Sequence, residues 1–176
     1  MIEIKVKTFE GLPLPEIIKK GDWIDLSVAE DYEFHAPICK ALVYKTEEGK
    51  KVGSREIEFE STLLRLGVAM QLPEGYEAIV APRSSTFKKY GIIETNSIGV
   101  IDNTYCGNND EWKMPVLAIR NGKIMKHERV AQFRIQLSQK ATFMQKLKWL
   151  FSSRIRLVLV SELHNVDREG FGSTGR

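Results

Sequence analysis

Glycine and proline punctuate this chain so often that it must be built from short elements. Residues 2–7, 41–44, 57–60, 67–70, 78–80 and 116–119 are brief, β-branched or alternating in polarity, and bounded by turn residues, so each reads as a strand. Turn signals stand at 72–75, at 48–50 and at Asn121-Gly122, and an Asn-Gly pair between apolar runs predicts a hairpin. Many short strands at this spacing predict an all-β sandwich or barrel. With 176 residues, 43% of them hydrophobic, the chain buries a core without disulfide or metal staples. Its two cysteines, Cys39 and Cys106, lie far apart and form no framework, which points to a reducing, cytoplasmic setting. The net charge of +3 is too small to indicate a nucleic-acid binder. The most apolar run, 155–160, falls far short of the roughly 20 residues that span a bilayer. No nucleic acid and no membrane are therefore expected as partners.

One stretch departs from the β pattern. Between 140 and 151, Phe143, Met144, Leu147, Leu150 and Phe151 recur at helical spacing with Lys146 and Lys148 between them. A short amphipathic helix is predicted, its apolar face packed on the sheet; the alternative is a basic surface for a partner. The run 155–160 returns to strand character. The end, 167–176, holds Gly170, Gly172, Gly175, a Ser-Thr pair and a lone Phe, and reads as a mobile tail of ten residues after a β domain spanning 1–166. It also contains the groups a phosphate site uses: guanidinium, hydroxyl and unobstructed amides.

No HExxH, Cys/His cluster or GxSxG elbow is present. Four internal segments carry chemistry instead. Asp25 sits between Ile24 and Leu26, as a turn carboxylate or one that reaches a metal or its water. Arg83-Ser84-Ser85-Thr86 follows an apolar strand, as a helix cap or as an anion site. In the segment Asn96 to Gly107, alternation puts Ile98, Val100 and Asp102 on one side of the pleat, and Asp102 is either an edge residue or a placed base. In 128–133, Gln132 has the parity of Val130, which predicts an amide on a partly buried face.

Taken in order, these segments resemble the five motifs of the trimeric dUTPase family: Asp25-Leu26; Pro82-Arg83-Ser84-Ser85; Gly99-Val100-Ile101-Asp102 with Tyr105 and Gly107; Arg129-Val130-Ala131-Gln132; and Gly170-Phe171-Gly172-Ser173-Thr174-Gly175. The wording is most similar to the enzymes of Gram-positive bacteria and their phages, and the likeness runs from about Gly21 to the end. The resemblance implies an all-β, jelly-roll-like fold and a homotrimer that hydrolyses dUTP to dUMP and pyrophosphate with Mg²⁺. It implies that Asp102 is the general base directing water at the α-phosphorus. Arg83, Ser84, Ser85 and Gln132 would contact phosphates, with Ser84 at the oxygen bridging the α- and β-phosphates. Asn96, with the backbone of Gly99 and Ile101, would read uracil, and Tyr105 would pack under the deoxyribose. Asp25 would hold Mg²⁺ through water. Arg168, Ser173 and Thr174 would close on the γ-phosphate, with Gly172 beside them and Phe171 stacked on the base.

Departures from the family pattern accompany the likeness. Only Glu169 and Gly170 separate Arg168 from Phe171, which changes the reach of Arg168 and makes Arg176 a rival for its role. Segments 35–56 and 140–153 look like elaborations, as trimer contacts or a surface for a regulatory protein partner. The runner-up activity is dCTP deamination, which needs a carboxylate at the base and for which Glu111 is the candidate.

Overall fold

A computed structural model describes residues 1–17, 21–47, 50–152, 154–168 and 170, without the side chains of 41–47 and 50–55. The turn at 48–49 and the tail residues Phe171, Gly172, Ser173, Thr174 and Arg176 lie outside the described residues. Fourteen strands and two short helices are described, in the order β1 (Ile2–Thr8), β2 (Ile24–Ser27), β3 (Tyr32–Phe34), β4 (Ile38–Glu47), β5 (Lys50–Glu58), β6 (Ser61–Arg65), β7 (Val68–Gln71), β8 (Tyr76–Pro82), α1 (Thr86–Tyr90), β9 (Ile92–Glu94), β10 (Gly99–Asp102), β11 (Lys113–Ala118), β12 (Gly122–Ile124), β13 (Arg129–Leu137), α2 (Phe143–Phe151) and β14 (Ile155–Leu159). The all-β expectation holds.

A four-stranded sheet, ordered β10-β8-β13-β2, carries four of the sequence motifs at its strands or their ends. A second sheet, β14-β1-β7, joins the first described strand to the last, with β1 parallel to β14 from Ile2↔Ile155 to Val6↔Leu159. A third, β6-β11-β9, ends at the turn that leads into β10. Alternation along these strands builds the core: β1 buries Ile2, Ile4 and Val6, β8 buries Tyr76, Ala78 and Val80, and β11 buries Met114, Val116 and Ala118. Trp112 and Phe133, both fully buried, meet edge to face at 5.3 Å and 86° in the middle of that core.

The structure departs from the sequence expectations in three places. Asn121-Gly122 does not close a hairpin between adjacent strands, because β12 pairs with β3 instead of β11. Asn121 Oδ1 accepts the Ala36 amide at 2.6 Å, and a Cβ on Gly122 would come 2.4 Å from the Tyr90 carbonyl oxygen, so close backbone approach explains the glycine. The helix at 143–151 forms, with a capping box between Thr142 and Gln145, but it packs differently. Trp149 leans on Tyr76 at 5.6 Å and Gln145 Nε2 donates to the Glu74 carbonyl at 2.9 Å. This face turns inward, leaving Phe143, Met144, Leu150 and Phe151 each at least 68% exposed. Finally, a β-bulge between Arg129 and Ala131 breaks the parity of β13. Val130, Ala131 and Phe133 are buried, and Gln132 faces outward instead of sharing the side of Val130.

Phe133 is the residue through which this core reaches the motif-bearing sheet. Phe133→Ala is expected to cost about 3–5 kcal/mol, read as a fall in the denaturation midpoint at unchanged m-value. A loss below about 1 kcal/mol would mean that the core closes around the gap.

Candidate active site

Two constellations of polar groups emerge from the four-stranded sheet. The first lies across β2, β13 and the end of β8. Antiparallel register places Asp25 beside Gln132, and Gln132 beside Ala81, all on the face away from the core. Asp25 alternates with the buried Ile24 and Leu26, and its side chain is 11% exposed. Arg83 Nε donates to its Oδ1 at 2.8 Å, and Arg129 Nη1 donates to Oδ2 at 3.0 Å. The bulge leaves Val130 without a partner on β2, while Arg129 pairs with Ser27 and its side chain reaches this carboxylate. Gln132 Nε2 donates to the Pro82 carbonyl at 3.3 Å. The chain then leaves β8 in a turn, with the Arg83 amide on the Val130 carbonyl at 3.0 Å and the Thr86 amide on the Arg83 carbonyl at 2.9 Å. Ser84 and Ser85 are exposed on that turn. Ser85 occupies the cap position of α1, yet its side chain makes no capping hydrogen bond, so helix capping does not account for it.

The second constellation is the loop after β10. The Asp102 carboxylate accepts hydrogen bonds from the Thr104 amide at 2.8 Å, from the Thr104 hydroxyl and from the Arg168 guanidinium. Burial presses the Asp102 pKa upward, but Thr104 and Arg168 together outweigh it and hold the carboxyl below its ordinary range. Arg168 thus rests on the candidate base, also donating to Thr104 Oγ1 at 2.7 Å, where the sequence suggested a γ-phosphate ligand. Tyr105 is half buried, donates its hydroxyl to the Glu111 carbonyl at 3.0 Å, and has its pKa pushed up to about 12 by burial. Gly170 lies against its ring: a Cβ there would meet Tyr105 Cε2 at 3.2 Å. Asn96 is exposed in the turn between β9 and β10, where Ser97 has a φ of 66°. Gly99 and Ile101 pair with Val80 and Ala78 on β8, and a Cβ on Gly99 would crowd that of Val80 at 3.3 Å.

These constellations do not converge within one chain. Asp102 pairs with Glu77 and Ala131 pairs with Pro82, next to Arg83. The five steps along the strand from Glu77 to Pro82 put about 17 Å between the two ends. The cleft beside Asp25, walled by Leu12, Pro13, Leu14 and Arg129, has a volume of about 170 Å³, smaller than the ~300–1,000 Å³ of ordinary ligand pockets.

A family model described as dUTPase matches residues 55–175. The chain belongs to the dUTPase family. It is 44% identical over 158 residues to the SPbeta prophage-derived deoxyuridine 5'-triphosphate nucleotidohydrolase YosS of Bacillus subtilis (strain 168), covering 90% of this chain and 87% of that one. Among solved structures, a Streptococcus mutans dUTPase superposes with a TM-score of 0.56 at 23% identity, covering 73% of this chain and 88% of that one. A mutant dUTPase from phage phi11 of S. aureus, described for its coordination of a structural Mg(II) ion, superposes with a TM-score of 0.58 at 16% identity, covering 80% and 94%. Both superpositions show the dUTPase fold.

Two carboxyls in this dUTPase-family chain play parts the sequence did not indicate. Glu111, the deaminase candidate, accepts Arg65 Nε at 2.8 Å on one oxygen and the Gly67 amide at 3.0 Å on the other. It is an internal tie, spent on an arginine that also meets Glu10 and Glu30. Glu94 is 8% exposed at the root of the turn that carries Asn96, and neither of its oxygens has a well-formed hydrogen bond. Burial raises its pKa to about 7, slightly offset by the Gly99 amide. Its phase with buried Ile92 was the only trace in the sequence.

The native state therefore holds the Glu94 proton more tightly than the unfolded chain. The stability this contributes is complete below the unfolded value near 4.5 and is lost as pH rises through about 7. Glu94→Gln should flatten the decline of Tm between pH 5 and 8; parallel wild-type and variant curves would show that Glu94 does not titrate in this window.

Proposed function

We propose that this protein hydrolyses dUTP to dUMP and pyrophosphate, with Asp102 as the general base toward water at the α-phosphorus, in sites assembled between copies of the chain. The observation that carries the reading is the separation of the two constellations by a strand of β8. A base must lie within hydrogen-bond reach of its water, and its water within reach of the phosphorus. Arg83, Ser84 and Gln132 of one copy must then meet Asp102, Asn96 and Tyr105 of another, which favours the homotrimer of the family resemblance.

Each residue has a role its surroundings support. Asp102 is kept ionised, the form a base requires, by Thr104 and Arg168. Its low basicity means that most of the acceleration comes from positioning and charge. Arg83 is fixed by Asp25, so its planar fork meets phosphate with little further ordering. Ser84 stands exposed to donate to the bridging oxygen, and Ser85 to a neighbouring phosphate oxygen. Gln132 supplies an amide on the same face. Asn96 reads the uracil edge together with the Gly99 and Ile101 backbone, a matched amide being worth about 1–3 kcal/mol over a mispaired one. Tyr105 presents a half-buried ring for the sugar. Phe171, Gly172, Ser173 and Thr174 act as the lid over base and γ-phosphate.

The donor set admits Mg²⁺ in one way. Among the described residues no group of three or more His, Cys, Asp or Glu is placed to hold a metal. Asp25 already carries a guanidinium on each oxygen, leaving its remaining lone pairs for a water. That suits an ion bound chiefly by water and triphosphate oxygens, as Mg²⁺ prefers. When bound, Mg²⁺ would neutralise triphosphate charge. The phage phi11 dUTPase of the same fold is described with a structural Mg(II) ion, which supports Mg²⁺ as the metal without supporting its place. No described helix is long and apolar enough to cross a membrane.

Pyrophosphate release from dUTP with Mg²⁺ tests the activity, and dTTP is expected to be turned over far more slowly. Equal turnover of dTTP, or none of dUTP, would end the proposal. Asp102→Asn should retain nucleotide binding and lower kcat by about 10²–10⁴-fold. Scattering or sedimentation should give a trimer; a lone active monomer would refute sites shared between copies.

A further inference from the structure

The root of the tail is strapped to the loop that bears Asp102, and a buried carboxylate lies at the centre of the strap. Asp110 is 2% exposed. Its Oδ2 accepts the Gly107 amide at 2.8 Å and the Arg168 amide at 3.0 Å, with Oδ1 at 3.1 Å from the same Arg168 amide. One residue earlier, Asp167 accepts the Asn109 amide at 2.8 Å and Asn109 Nδ2 at 2.7 Å. Asn165 Nδ2 donates to the Cys106 carbonyl at 3.2 Å, and buried Leu163 places its amide on Asn108 Oδ1 at 3.3 Å. The fit is close: a Cβ on Gly107 would come 2.4 Å from the Asp167 Cα. From this fixed backbone the Arg168 side chain reaches the Asp102 carboxylate.

We propose that Asp110 is a positioning residue for the reaction: by holding the Gly107 and Arg168 amides on one buried carboxylate, it sets the Arg168 guanidinium against Asp102. The inference rests on the reading of Asp102 as base and extends it to a residue outside the five motifs. A carboxylate is suited to the task because hydrogen bonds to an ionised acceptor are shorter and about twice as strong as neutral ones. Without the tie, the backbone beneath Arg168 would lose its buried anchor, and setting this long side chain against Asp102 would cost more rotamer entropy. The described groups facing Asp102 are few. Arg168 approaches from the tail root. Glu77 lies across on β8, its Oε1 accepting Gln136 Nε2 at 2.7 Å. Cys106 follows on the same loop, with its thiol raised by burial and by Asp110 and Asp102. The Thr104 hydroxyl and amide donate to Asp102 from its own loop, and Arg168 is the described cation that adds to them in keeping Asp102 ionised.

The test uses the full chain and follows kcat for dUTP from pH 4 to 8 in wild type, Asp110→Asn, Asn109→Ala, Arg168→Ala and the double variant Asp110→Asn/Arg168→Ala. Loss of a nearby opposite charge moves a carboxyl by about 1 pH unit or more. Asp110→Asn should raise the acid limb by about that much, Asn109→Ala by less, and the double variant no further than Arg168→Ala alone. ¹³C NMR titration of the Asp102 carboxyl should move in the same direction, independently of turnover. An unmoved limb and titration in Asp110→Asn, or additive shifts in the double variant, would overturn the inference. Should Asp110→Asn fail to fold, Asn109→Ala decides: no shift there, with a shift in Arg168→Ala, overturns it equally. A wild type inert toward dUTP would instead defeat the proposed function, and the carboxyl titration would still judge the strap.

Discussion

Everything placed at the site depends on the antiparallel register of β8 between β10 and β13. That ladder fixes Asp102 opposite Glu77 and Ala131 opposite Pro82, and so fixes how far apart the base and the phosphate-facing turn must lie. A slip of one residue would exchange the faces of β8 and bury what should be displayed. The core guards against this slip. Tyr76, Ala78 and Val80 are buried on β8, and Phe133 and Ile135 are buried beside them on β13. Hydrophobic packing on one face therefore sets the address of polar groups on the other.

Charge in this molecule is distributed by the same logic of pairing before burial. Asp25 is nearly covered and carries two guanidiniums; Glu111 is more covered and carries one guanidinium and an amide. Breaking one member of such sets leaves the other uncompensated, which is why they resist substitution better as sets than as individuals. Glu94 is the exception, buried without a good partner and answering with a displaced pKa. Its position at the root of the turn that carries Asn96 joins the ionisation of a hidden group to the shape of a displayed one.

Much of this was legible from residues alone. Strand existence followed from alternation and turn chemistry, and β1, β7, β8, β11 and β14 lie where the pattern put them. The motif residues could be named because family wording preserves them in order. What escaped had particular physical causes. A bulge adds one residue to β13 and inverts parity beyond it, so Gln132 could not be assigned a face by counting. The inward face of α2 was decided by Trp149 meeting Tyr76, a contact between residues remote in sequence, against an apolar stripe that pointed the other way. The Asn-Gly pair lost its hairpin to pairing with β3. Asp110 sits in a polar run with no periodicity, and only folding shows that the tail root closes over it.

The parallel pairing of β1 with β14 has a consequence for synthesis. Its partners stand at opposite ends of the described chain, so a ribosome must release nearly all of it before Ile2, Ile4 and Val6 can find Ile155, Leu157 and Leu159. Contacts this distant in sequence form slowly, and strand edges left open in the interval invite wrong partners. The nascent chain therefore waits for its last strand with its first still unpaired on one side, and a translational pause shortly before residue 155 would prolong its exposure to aggregation.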